Sequence, residues 1–134
     1  MKVLVLTSEP ITAQQLRDAL ASDVDPAKAE VMVVAPALQE SAVKFWLSDA
    51  DDAIARAEEV RRESIARLGD AGVSATGDTG ESDPETAIED ALKTFDADRI
   101  VVFTHQGKDQ RYREDVDDRE LAERFGRPVD HAAL

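Results

Sequence analysis

The sequence predicts an α/β fold: a three-layer sandwich with a five-stranded parallel sheet between helices. Three observations predict it. The aliphatic and β-branched runs at 3–6, 31–35 and 100–103 have no polar alternation, which is the pattern of strands covered on both faces. Stretches between them carry apolar residues three and four positions apart, the period of a helix with one buried side. Strand and helix then alternate five times, lacking only a helix at the end, and such alternation builds βαβ crossovers into one parallel sheet.

The first strand, Val3 to Leu6, is broken by Thr7-Ser8-Glu9-Pro10. A helix follows from Thr12 with Leu16, Ala19 and Leu20 on one stripe; Thr12 is its N-cap, and Gln15 occupies the reciprocal position of a capping box. Turn residues from Asp23 to Pro26 lead to the second strand, Val31 to Ala35, closed by Pro36. A loop from Ala37 to Leu47 holds Trp46, read as a lid over the sheet edge or an anchor for a partner. The longest helix starts at Asp49, its stripe formed by Ala53, Ile54, Ala57, Val60, Ile65 and Leu68, and Gly69 and Gly72 end it. The acidic residues Asp49, Asp51 and Asp52 suit the positive end of the helix dipole.

Val73 to Thr76 is the third strand, with Gly77-Asp78-Thr79-Gly80 read as the loop after it. Asp83-Pro84 starts a helix as N-cap and first-turn proline, and Ala87, Ile88, Ala91, Leu92 and Phe95 form its inner side. Ile100 to Phe103 is the fourth strand. A polar loop runs to about Asp115, a helix covers about Asp117 to Phe125, and Gly126-Arg127-Pro128 leads to a terminal strand from Val129 to Ala133. The chain reads as a single domain over residues 1–134, with no linker, repeat or low-complexity tract dividing it.

Composition narrows the function classes. Sixteen basic against 29 acidic residues leave a net charge of −13. That charge repels nucleic-acid backbones and anionic membrane surfaces. It still admits a nucleotide, because a local cluster of amides can hold phosphate. With no cysteine, disulfides, thiol catalysis and thiolate-bound metal are all excluded, which fits a cytoplasmic protein. No apolar run reaches the roughly 18 residues of a membrane span.

The stretch from Gly77 to Phe103 holds a glycine-bearing loop, Asp83-Pro84, Ala87-Ile88 and then Ala97-Asp98-Arg99-Ile100-Val101-Val102. It resembles the G-D-P-x-x-A-I … A-D-x-I-V-V pattern of the universal stress protein family, and Gly126-Arg127-Pro128-Val129 resembles the start of that family's final strand. The resemblance covers nearly the whole chain. It implies a Rossmann-like fold related to the adenine nucleotide alpha hydrolases, a non-catalytic stress-response role and a homodimer formed through the last strand. It also implies ATP or AMP as a ligand, and here the sequence departs from the family. The ATP-binding members carry an Asp after the first strand, where this chain has Thr7-Ser8-Glu9. They also carry Gly-x-x-Gly and a later Gly-Ser or Gly-Thr after the fourth strand, where this chain has Thr104-His105-Gln106-Gly107-Lys108 and no such ending. Glycines of that kind let backbone amides approach phosphate closely. The chain thus resembles a divergent branch without the ATP-binding glycine motif.

In open parallel sheets ligands bind beyond the carboxyl ends of the strands, where the strand order reverses. The candidate ligand or nucleotide site is therefore Thr7 and Ser8 after the first strand, Val34 and Ala35 at the end of the second, and Thr104, His105, Gly107, Lys108 and Arg111 after the fourth. Lys108, Arg111 and Arg113 are the cations available to a phosphate. Each has a plain structural alternative: Ser and Thr cap turns, Gly107 serves a bend, and the Arg residues balance neighbouring acids. His105 is the sharpest residue, a ligand contact or proton donor on one reading and a backbone-bonded loop histidine on the other. No serine-histidine-acid spacing surrounds it in the sequence, so a small hydrolase is the least favoured function. His131 comes close to His105 only if strands four and five are neighbours, and two histidines alone are a weak zinc signal. A small molecule or another protein is the remaining class of partner.

Overall fold

A computed structural model describes residues 1–20, 24–37, 50–80, 83–105 and 117–134. Trp46, Asp49, Gly107, Lys108, Arg111 and Arg113 lie outside the described residues. The elements are β1 (Lys2–Thr7), α1 (Ala13–Ala19), a 3-10 turn (Pro26–Lys28), β2 (Glu30–Pro36), α2 (Ala50–Asp70), β3 (Ser74–Gly80), α3 (Pro84–Leu92), β4 (Arg99–Thr104), α4 (Asp118–Phe125) and β5 (Val129–Ala133). The five strands form one sheet in the order β3-β2-β1-β4-β5, and each neighbouring pair is parallel.

β1 lies at the centre, so its side chains have no solvent face. Val3 and Val5 enter one core with Ile11 and Leu16 beside α1, and with Leu68 of α2; Leu4 and Leu6 enter the other with Ile88 of α3 and Leu121 of α4. Alternate residues of one strand thus feed opposite layers, and both layers are apolar. That is why residues 3–6 read as an unbroken hydrophobic run.

Local chemistry sets the helix starts. Thr12 Oγ1 accepts from the Gln15 N–H at 3.2 Å, and Gln15 Oε1 accepts from the Thr12 N–H at 2.9 Å, the reciprocal capping box read from the sequence. Asp117 accepts from the Glu120 N–H at 3.1 Å and starts α4. At α3, Asp83 holds the N-cap position, but its carboxylate accepts from the Thr86 hydroxyl at 2.9 Å rather than from a backbone amide.

Two sequence expectations are corrected. Residues 77–80 are strand, not loop: Gly77 pairs with Val33, Asp78 with Val34, Thr79 with Ala35 and Gly80 with Pro36. The glycines serve packing there. A Cβ on Gly77 would lie 2.7 Å from Ile65 Cδ1 of α2, and one on Gly80 would lie 2.6 Å from Ala87 Cβ of α3. The two residues face opposite layers: a Cβ at Gly80 would meet a Cβ of α3 that has no rotamer to change, whereas one at Gly77 would meet side chains of α2 that must turn aside. The second correction concerns α2. Ile54 is 50% exposed, while the buried stripe is Ala53, Ala57, Val60, Ser64 and Leu68. Spacings of four, three, four and four keep to one helical face, and Ile54 falls a full 100° off Ala53. A serine in the stripe masked its true course. The helix also continues through Gly69 to Asp70 and turns away at Gly72, whose φ of +81° suits glycine.

Candidate functional site

The strand order places β1 between β2 and β4. The chain leaves β1 toward β2 and β3 on one side, then crosses back to β4 and β5 on the other. The order therefore reverses between β1 and β4, the place beyond whose carboxyl ends open parallel sheets bind their ligands. Residues that follow β1 directly (Ser8, Glu9) and β4 directly (His105) meet there, because Thr7 lies level with Phe103 in the ladder.

Their contacts form a chain across the switch point. Ser8 Oγ lies 3.4 Å from His105 Nδ1, and His105 Nε2 lies 3.2 Å from Glu9 Oε1. The other Glu9 oxygen pairs with the Arg56 guanidinium of α2. The side chains of His105 and Glu9 are only 13% and 25% exposed, so these contacts are partly withdrawn from water. A carboxylate accepts but cannot donate. A neutral His105 therefore carries its proton on Nε2, toward Glu9, and turns the Nδ1 lone pair to the Ser8 hydroxyl.

Thr7 and Thr104, both buried, have other partners. Thr7 Oγ1 donates to the Glu9 carbonyl at 2.7 Å and lies 3.3 Å from the Glu9 N–H. It shapes the turn that carries Ser8 and Glu9. Thr104 Oγ1 contacts His131 Nε2, and Asp118 Oδ1 lies 2.9 Å from His131 Nδ1 without the alignment of a hydrogen bond. His131 comes to β4 because β5 pairs with it, His131 level with Val102. Among the described residues no group of three or more His, Asp or Glu side chains could hold a metal ion. Val34 and Ala35 are enclosed: Val34 packs with Leu6 and Ala87, and Ala35 packs with Ala57 and Val60 of α2.

The sequence reading missed Glu9 and Arg56 at this site. Glu9 adjoins Ser8, so the strand-end rule could have included it. Arg56 had no signal, since an exposed arginine on a charged helix resembles every other one. A second tie from α2 is also tertiary: the buried Ser64 hydroxyl accepts from the Ile11 N–H at 3.2 Å and holds the β1–α1 connection against the helix.

No protein-family model matches the chain, and a search of the curated proteins finds no match. Solved structures do match. A universal stress protein family protein from Arabidopsis thaliana with AMP bound is 12% identical, with 98% of this chain and 90% of that one aligned and a TM-score of 0.62. The chain has the universal stress protein fold. A protein of the same family from Burkholderia pseudomallei is 18% identical, over 98% of this chain and 94% of that one, with a TM-score of 0.56. Alignment over nearly the full length of both partners makes the likeness one of the whole universal stress protein fold rather than of a shared βαβ piece. It agrees with the resemblance carried by Gly77 to Phe103. No helix among the described residues is long and apolar enough to cross a membrane.

Proposed function

We propose that this chain is a regulatory module of the universal stress protein type, a binding protein rather than an enzyme of multiple turnover, which works as a homodimer and takes a small polar ligand between the ends of β1 and β4. One observation carries the ligand site: Ser8, Glu9 and His105 come from two strands and meet at the point where the strand order reverses. Hydroxyl, imidazole and carboxylate together offer both donors and acceptors to a ligand. The dimer rests on β5, an edge strand whose outer backbone groups could pair with a second copy. Sedimentation at micromolar concentration should give the mass of two chains; a monomer at every concentration tested refutes the dimer.

The second reading makes the ligand an adenine nucleotide. The AMP-bound neighbour with the same fold favours it. Thermal unfolding with AMP and with Mg-ATP tests it directly. A ligand near a thousandfold above its Kd adds about 4 kcal/mol to stability. The melting temperature should therefore rise by many degrees, and Glu9→Ala should diminish the rise. No shift with any adenine nucleotide refutes this reading and leaves the dimer test untouched.

A further inference from the structure

Beyond a binding role, the point where the strand order reverses holds the parts of an activated nucleophile. We propose that Ser8 is an acyl-acceptor site, with His105 as its general base and Glu9 and Arg56 as positioning residues. The geometry carries this. Glu9 Oε1, 3.2 Å from Nε2, fixes the imidazole proton on that nitrogen, so the opposite nitrogen presents a lone pair to the serine hydroxyl. Arg56 binds the second Glu9 oxygen and restrains the carboxylate from swinging away. At 3.4 Å the Ser8–His105 contact is longer than a finished hydrogen bond, the spacing common in sites that tighten when a reactant binds. The sequence held no serine-histidine-acid spacing. The array exists because β1 and β4 are adjacent.

Thr104, His131 and Asp118 look similar in outline but lack the same capacity. Thr104 is only 2% exposed, and the carboxylate is not aligned with the imidazole. Ser8 is half-buried and follows the last residue of β1 directly, so its hydroxyl is not sealed in the core.

The co-reactant is an activated carboxylic ester. Ser8 Oγ attacks the acyl carbon, its proton passes to His105 Nδ1, and the acyl C–O bond to the leaving group breaks. The leaving oxygen takes the proton from Nδ1, which restores neutral His105 and leaves a serine ester. An uncharged carbonyl meets no repulsion from the chain's net charge of −13, whereas a phosphate dianion does. The step is stoichiometric, so it marks the protein without requiring turnover.

The experiment uses 4-nitrophenyl acetate on the full chain, read by nitrophenolate release and by peptide mass spectrometry. The expected result is a burst of about one nitrophenolate per chain, the behaviour of an acyl-enzyme that accumulates. The acetyl group should map to the peptide containing Ser8. His105→Gln should slow the burst about a hundredfold, the lower end of what a positioned base contributes. Ser8→Ala should abolish it, and 4-nitrophenyl phosphate should release nothing. The proposal is overturned by acetyl found only on lysines or on His105, by a burst that survives Ser8→Ala, by a His105→Gln rate equal to that of the parent, or by release from the phosphate ester. The peptide map on the unaltered chain stands even if a variant fails to fold. None of these readouts involves a nucleotide, so the nucleotide reading and this one fail separately.

Discussion

Replacing Gly80 with alanine is the sharpest test of the sheet as described. The new Cβ would lie 2.6 Å from Ala87 Cβ, 3.3 Å from Val34 Cγ1 and 3.4 Å from Ala87 Cα. Carbon atoms rest at about 3.5–4.0 Å, so roughly 1 Å of overlap must be relieved. Ala87 has no rotamer to change, and its Cβ moves only if α3 moves. That helix also carries Ile88, fully buried against the sheet, so a shift disturbs the core beneath it. Overpacking of this kind costs about 1–3 kcal/mol. Alanine returns about 0.4–1 kcal/mol by restricting the unfolded chain. The net expectation is a loss of about 1–2 kcal/mol. With urea slopes of about 1–3 kcal/mol per molar, the denaturation midpoint should fall by roughly half a molar to one molar. Gly77→Ala is the internal comparison. Its Cβ meets Ile65 Cδ1 and Arg61 Cγ, both at 2.7 Å, on side chains that can rotate, and the fixed Val33 backbone oxygen only at 3.1 Å, so its loss should be the smaller. A Gly80→Ala protein as stable as the parent, or a Gly77→Ala protein that loses more, refutes this packing and restores residues 77–80 to a loop.

Two further substitutions probe the layers on either side. Ser64→Ala removes the acceptor of the buried Ile11 N–H, and an orphaned buried donor costs about 1–3 kcal/mol; equilibrium unfolding should register that loss, and an unchanged midpoint means the bond is not made. Leu121 is fully buried and is the buried residue of α4, so Leu121→Ala should cost about 2–5 kcal/mol and lower the melting temperature well beyond the Ser64 variant. A change under 1 kcal/mol for Leu121→Ala means α4 does not dock on the sheet as described.

The architecture was legible because its signals are local. The runs at 3–6, 31–35 and 100–103 are hydrophobic without alternation, and only a strand covered on both sides makes that pattern useful. Thr12 with Gln15 and Asp83 with Pro84 mark helix starts within four residues of chain. The errors have equally specific causes. β3 is an edge strand made mostly of small and polar residues, so it carries no hydrophobic run, and its glycines resemble turn chemistry in sequence although they answer to two helices. In α2, Ile54 belongs to the buried stripe by residue type alone, whereas Ser64 is buried with its hydroxyl bonded to the Ile11 amide.

For the site, the sequence by itself determined that Ser8 and His105 follow the ends of β1 and β4, since residues at strand ends follow from the strand positions alone. The tertiary structure decided the rest. Whether His105 faces Ser8, or His131 reaches Thr104, depends on the lateral order of strands, and segment hydrophobicity does not encode which strand lies next to which. Glu9, its partner Arg56 and the imidazole between two residues of the β1 turn are separated by 47 and 96 positions along the chain. A contact over that separation leaves no periodic trace in a single sequence. It arises only when βαβ crossovers have stacked β1 against β4 and laid α2 across the turn.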